Sequence, residues 1–148
     1  MKSRGGTLRI PLDTALILLT LEIDVGEEVV KGFKKFEGAE IYYSKFSVLE
    51  SLWVAARITK GRSFDVERFG QGLRSVMESG RYEMIEEGYQ VFKDALKLYA
   101  LGHKDMIDNI LYAASVNLDL KFLTIDSELM KFVRDKGLKE IFVTPSQL

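Results

Sequence analysis

The apolar residues of this chain switch repeatedly between two spacings, the alternation of a strand and the three-to-four-residue return of a helix. Thr7–Leu12 alternates, puts Leu8, Ile10 and Leu12 on one face, and predicts a strand. Thr14–Ile23 fits either period, and its Leu and Ala content favours helix. Glu27–Phe36 predicts a helix with Val29, Val30 and Phe33 inward, and Ile41–Tyr43 a short strand. Phe46–Ile58 sets Phe46, Leu49, Trp53 and Ala56 on one helical stripe, whose aromatic residues read as core. Gly61-Arg62-Ser63 breaks that helix; Ser63 or Asp65 can cap the next, Val66–Met77, which Gly80 ends. Tyr82–Ile85 reads as a short strand, and Tyr89–Leu101 as a helix closed by Gly102. Asp105–Val116 has the strongest helical pattern, with Ile107, Ile110, Leu111 and Ala114 at i, i+3, i+4 and i+7. An apolar strand at Leu120–Thr124, a helix at Ser127–Lys136 with Leu129, Phe132 and Val133 inward, and a last strand at Ile141–Val143 complete the series. Strands alternating with helices predict a three-layer α/β domain with a mainly parallel sheet.

Composition narrows the chemistry. The 148 residues fit one domain, 1–148, because both prolines, Pro11 and Pro145, lie near the ends and no repeat or linker divides the middle. At 47% hydrophobic and 29% charged, the chain is not a disordered one. Twenty-one basic against 22 acidic side chains give a net charge of −1, which excludes a surface coated in basic charge for nonspecific DNA binding. With no cysteine and a single histidine, His103, thiolate zinc sites, cysteine nucleophiles and a two-histidine zinc motif are all excluded. Any metal must then be held by carboxylate oxygens, which suit Mg²⁺ or Mn²⁺. The absence of cysteine is compatible with a cytoplasmic protein. The apolar run Ala15–Ile23 is broken by Thr20 and Glu22 and is too short to cross a membrane.

Four acids stand where chemistry is expected. In an open α/β sheet, ligands sit beyond the carboxyl ends of the strands. Asp13 follows the first strand and Asp126 follows Leu120–Thr124. Glu50 and Asp108 lie on helices among apolar neighbours, where an isolated charge is costly and wants a partner or a metal. Each also has a plain structural role open to it. Asp13 and Asp126 can cap the helices that follow them, Asp108 suits the positive end of its helix, and Glu50 can face solvent with Arg57 two turns on.

The segment Asp108–Asp126, an Asp opening an Ala-rich helix, then a short apolar strand, then Thr124-x-Asp126, resembles the C-terminal core of PIN-domain ribonucleases. Leu12-Asp13-Thr14 resembles that family's first acid, and Leu49-Glu50-Ser51-Leu52 its second. The resemblance implies a PIN-like α/β/α sandwich with a mainly parallel five-stranded sheet. It also implies Mg²⁺- or Mn²⁺-dependent hydrolysis of RNA phosphodiester bonds. Asp13, Glu50, Asp108 and Asp126 become the catalytic and metal-binding acids, with Thr14, Thr124 and Glu128 in support. The metal would lower the pKa of a bound water and neutralise charge on the phosphate. Many relatives are the toxin halves of VapBC-type toxin–antitoxin pairs, so an antitoxin partner and a homodimer are implied beside the RNA substrate.

RNA needs a cationic grip. Arg57 lies seven residues after Glu50, on the same helical face, and Lys60 and Arg62 follow it. Lys31, Lys34 and Lys35 form a second basic patch that reads as a solvated helix face. His103 reads as a loop or capping residue and Asp105 as a helix-start acid. A second reading is a catalytically weak PIN-like module that binds RNA or protein. A phosphoryl-transfer or receiver-type domain would want paired acids after the first strand, where the chain offers only Asp13.

Overall fold

A computed structural model describes residues 9–11, 40–58, 66–124 and 127–143. The helices expected at 14–23 and 27–36, the break at 61–63 and the Lys31 cluster lie outside these residues. Strand β1 (Arg9–Pro11) pairs parallel with β2 (Glu40–Tyr43), and β2 pairs parallel with β3 (Tyr82–Met84), so β2 is central. Ile10 is aligned with Ile41, and Tyr42 with Glu83. Pro11, which has no N–H to give a ladder, is the last residue of β1 and aligns with Tyr42. A separate parallel pair joins β4 (Phe122–Leu123) to β5 (Phe142–Val143).

This corrects the expected five-stranded sandwich. Among the described residues the five strands form a three-stranded sheet and a two-stranded one. β1 and β4 run close enough for Cα atoms to come within 8 Å, yet no ladder joins them. The strands are also shorter than the apolar pattern suggested. Leu120 is buried, but its N–H donates to Ser115 O at 2.8 Å and closes a helix end rather than extending a ladder. Asp119, at φ 56°, makes that turn possible.

The rest of the described fold is helical: α1 (Lys45–Ile58), α2 (Val66–Glu78), α3 (Tyr89–Leu101), α4 (Met106–Asn117) and α5 (Ser127–Asp135). Their limits fall within a residue or two of those the sequence predicts, because the stop signals are local. Gly102 closes α3 at φ 124°, a conformation open to glycine, and lets the His103 N–H reach back to Leu98 O. At the start of α4, Asp105 Oδ1 accepts from the Asp108 N–H at 3.1 Å.

Helix α4 is the centre of the core, buried without a break from Asn109 to Ser115. One apolar cluster gathers Ile110, Ala113 and Ala114 of α4 with Val91 and Ala95 of α3, Ile85 and Leu120. A second joins Leu111 and Tyr112 to Leu98, Phe122, Leu129, Val133 and Ile141. Helix α3 lies along α4 and feeds both clusters, while α5 contributes only to the second. The Tyr112 ring stacks 5.7 Å from Phe142, and its hydroxyl donates to Lys139 O at 2.6 Å.

Phe122 is fully buried in the second cluster, so Phe122→Ala should cost about 3–5 kcal/mol in urea unfolding. Burial pushes the Tyr112 phenol up to about 12. A group whose folded pKa is raised stabilises the fold below its unfolded pKa, and that stabilisation is lost as pH rises toward the folded value. Stability should therefore fall between about pH 10 and 12, and Tyr112→Phe should flatten that decline while losing about 1 kcal/mol at neutral pH.

Candidate functional site

The residues singled out in the sequence divide into three groups. Asp13, Thr14, Lys60, Arg62 and Asp126 lie outside the described residues. Glu50 and Asp108 are half-buried, on α1 and in the first turn of α4, two helices that pack against each other. Thr124, Glu128 and Arg57 form the third group. Thr124 is buried just past β4, and its N–H donates to Val143 O at 3.2 Å. Glu128 is exposed in the first turn of α5, where a helix favours negative charge. Arg57 is exposed in the last turn of α1. Among the described residues no three acids or histidines stand together to hold a metal ion.

The sequence reading missed two buried polar contacts. His103 lies in the loop before α4, as expected, and is buried there. Its Nδ1 lies 2.7 Å from Asn109 Oδ1, and Asn109 Nδ2 donates to His103 O at 2.8 Å. The pair fastens the turn between α3 and α4. At the carboxyl ends of β2 and β3, the buried Ser44 hydroxyl donates to Glu87 Oε2 at 2.6 Å. Both contacts join residues that carry no motif, so only their packing gives them away. Tyr43 and Tyr112 are buried, and the Tyr42 hydroxyl donates to Glu40 at 3.0 Å.

The largest departure concerns α1. Of the stripe expected in the core, Phe46 packs against it, but Leu49 and Trp53 are 40% and 54% exposed, as is Leu52 at 43%. The inward face is instead Ser47, Ser51 and Ala55, spaced one turn apart, all nearly inaccessible. A serine hydroxyl can return to its own helix, as Ser51 Oγ does to Val48 O at 2.6 Å, so such a face can be buried at little cost. Ser47 Oγ has no partner among the described residues. The Ser47/Ser51/Ala55 spacing was the available signal, and the larger apolar side chains masked it.

Helix α3 continues the outward apolar face. Tyr89 is 79% exposed and Leu96 62%, with Phe92 and Tyr99 also exposed. Phe92 meets the half-buried Phe46 of α1 edge-on, with centroids 5.6 Å apart and planes at 83°. Lys45 and Arg57 on α1, and Lys93 and Lys97 on α3, are exposed along the same two helices. An apolar surface with a polar border is the ordinary form of a protein-binding site.

No family model matches the chain, and no curated protein does. Solved structures do share the fold. VapBC2 from Rickettsia felis, bound to a DNA fragment from their promoter, aligns with a TM-score of 0.65 at 13% identity, over 93% of this chain and 98% of that one. FitAcB from Neisseria gonorrhoeae gives 0.61 at 17% identity, over 94% and 99%. A toxin–antitoxin complex from Klebsiella pneumoniae gives 0.58 at 17%, over 96% and 100%. At 13–17% identity these likenesses concern the fold alone. None of these structures is described as a nuclease, no family model supports a PIN domain, and the described strands form two sheets. The assignment to PIN-domain ribonucleases, with metal-dependent RNA hydrolysis, is therefore not upheld. No described helix is long and apolar enough to cross a membrane.

Asn109→Ala should strand buried polar groups of His103 and cost about 2–3 kcal/mol in urea unfolding. Asp105→Ala removes only a helix cap and should cost about 1 kcal/mol.

Proposed function

We propose that this chain is one member of a two-protein assembly of the toxin–antitoxin type and acts by binding the other member. The observation that carries the reading is the outward face of α1, where Leu49, Leu52 and Trp53 are exposed while serines and alanine occupy the inward side. Aromatic anchors of this kind dominate binding energy at protein interfaces. The fold likeness, which spans more than nine-tenths of the chain in each of the three comparisons, supports it. With Lys45 and Arg57 beside the apolar residues, the complementary surface is an apolar helix or strand flanked by acidic residues. The net charge of −1 favours a protein ligand over duplex DNA as the direct contact of this chain.

Trp53 is the only tryptophan, so its fluorescence reports on this face alone. The test is titration with a purified helical peptide whose apolar face is flanked by acidic residues. Binding should shift the emission to the blue, and Leu49→Ala should weaken affinity by roughly tenfold or more without changing the circular dichroism spectrum. Binding that leaves Trp53 emission and the Leu49→Ala affinity untouched would overturn the reading, as would tight binding of duplex DNA by this chain alone.

A further inference from the structure

The two apolar clusters of the core do not close completely where they meet. A cavity of about 260 Å³ opens between α3, α4 and the segment that leads into β5. Its walls are Leu98 and Leu101 of α3, Tyr112, Ala113 and Val116 of α4, and Leu138. Ala113 belongs to the first cluster and Leu98 and Tyr112 to the second, so the cavity reaches the core itself. Two hydrogen bonds hold it open. Asn117 Nδ2 donates to Asp94 Oδ2 at 3.0 Å and ties α4 to α3 on one side. The Tyr112 hydroxyl donates to Lys139 O at 2.6 Å and ties α4 to the β5 segment on the other. The Tyr112 ring is also stacked on Phe142 and is not free to swing into the space, and Ala113 is too small to fill it. A void of about 150 Å³ walled by aliphatic and aromatic side chains accommodates a benzene ring. This one has room for a ring and a short chain beyond it.

Charge decides the rest of the ligand. Lys97 on α3 and Lys139 ahead of β5 are exposed and line the cavity from two different elements. Asp94 lines it as well, but both of its oxygens are engaged, Oδ1 by Gln90 Nε2 at 2.8 Å and Oδ2 by Asn117. Those bonds, the one from Asn117 first, keep its carboxyl below the usual carboxylate range. Two lysines therefore stand against one carboxylate that is already committed. A neutral hydrocarbon would leave the lysines unused, and a cation would be repelled by them. Apolar walls with a few charged groups at the opening are the ordinary make-up of a small-molecule site. We infer that the cavity binds a small organic carboxylate, its aromatic or branched apolar body seated on Leu98, Ala113 and Val116 and its carboxylate held by Lys97 and Lys139. The lysine stems add apolar cover along the ligand. None of the lining residues belongs to α1, so the site is separate from the proposed protein-binding face and does not rest on it. A ligand of roughly ten heavy atoms in such a site has a Kd on the order of 0.1–1 mM.

The probe is 3-phenylpropionate, with 3-phenylpropanamide as its uncharged counterpart, and binding to the full-length chain is followed by methyl NMR. The acid should bind with a Kd of about 1 mM or lower and shift the methyl signals of Leu98, Val116 and Leu138. The amide should bind about fivefold more weakly or worse. Replacing both exposed lysines, Lys97→Gln with Lys139→Gln, should bring the acid down to the affinity of the amide. Val116→Phe, at a half-buried position, should fill the cavity and abolish binding of both compounds. Leu101→Trp, at an exposed position on the α3 wall, repeats that test without disturbing the core. Absence of binding at about 10 mM acid would overturn the proposal. So would equal affinity for acid and amide, or shifts confined to the surroundings of Trp53. If Val116→Phe weakens binding of the acidic helical peptide as much as Leu49→Ala does, the cavity belongs to the protein interface and the small-ligand assignment falls. Loss of peptide binding with the acid still bound would overturn the protein-binding reading alone.

Discussion

Helix α4 sets the terms for everything around it. From Asn109 to Ser115 it has no wet face, so each polar group it carries must be satisfied inside the protein. Asn109 joins His103, Tyr112 reaches Lys139 O, and Ser115 Oγ turns back to Leu111 O at 2.8 Å. At the helix end, Asn117 bonds Ala113 O and Asp94. These bonds fix the two neighbours that enclose α4. The His103–Asn109 pair holds the turn from α3, and Tyr112 holds the segment leading into β5. An apolar helix at the same place could slide or rotate against its neighbours, whereas these partners allow one register.

With α4 enclosed, the remaining helices differ in what they have left to bury. Helix α5 gives Leu129 and Val133 to the core and has a polar outer face, with Lys131 and Asp135 paired at 2.8 Å. Helices α1 and α3 instead keep large apolar side chains outside. In α1 this follows from packing. Small residues let the helix approach closely, and the larger ones on the opposite side have no interior to enter. In α3 the inner face is already filled by Val91, Ala95 and Leu98, so a second apolar stripe on the same helix must point outward. A helix apolar on two sides is suited to lie between its own core and another molecule.

The fold is shared with solved chains at identities where only the path of the backbone is held in common. One architecture serves many activities, and a function has to be argued from its site. Among the described residues the features most open to a ligand are hydrophobic and lie on α1 and α3, while the acids Glu50 and Asp108 are half-buried on neighbouring helices.

The sequence by itself determined where the helices run. Their periodicity, the Asp105 cap and the Gly102 stop act within a turn or two of chain, and that range is legible without a structure. It also marked α4 as the strongest helical pattern, with Ile107, Ile110, Leu111 and Ala114 at i, i+3, i+4 and i+7. Which way α1 faces was decided only by tertiary packing. Ser47, Ser51 and Ala55 offer close approach, a property that depends on the helix they meet, while Trp53 and Leu49 carry the stronger hydrophobic signal and end up outside. The separation of β4–β5 from β1–β2–β3 was likewise invisible in the sequence. An apolar strand declares that it is buried, but which strand it bonds to depends on residues distant along the chain.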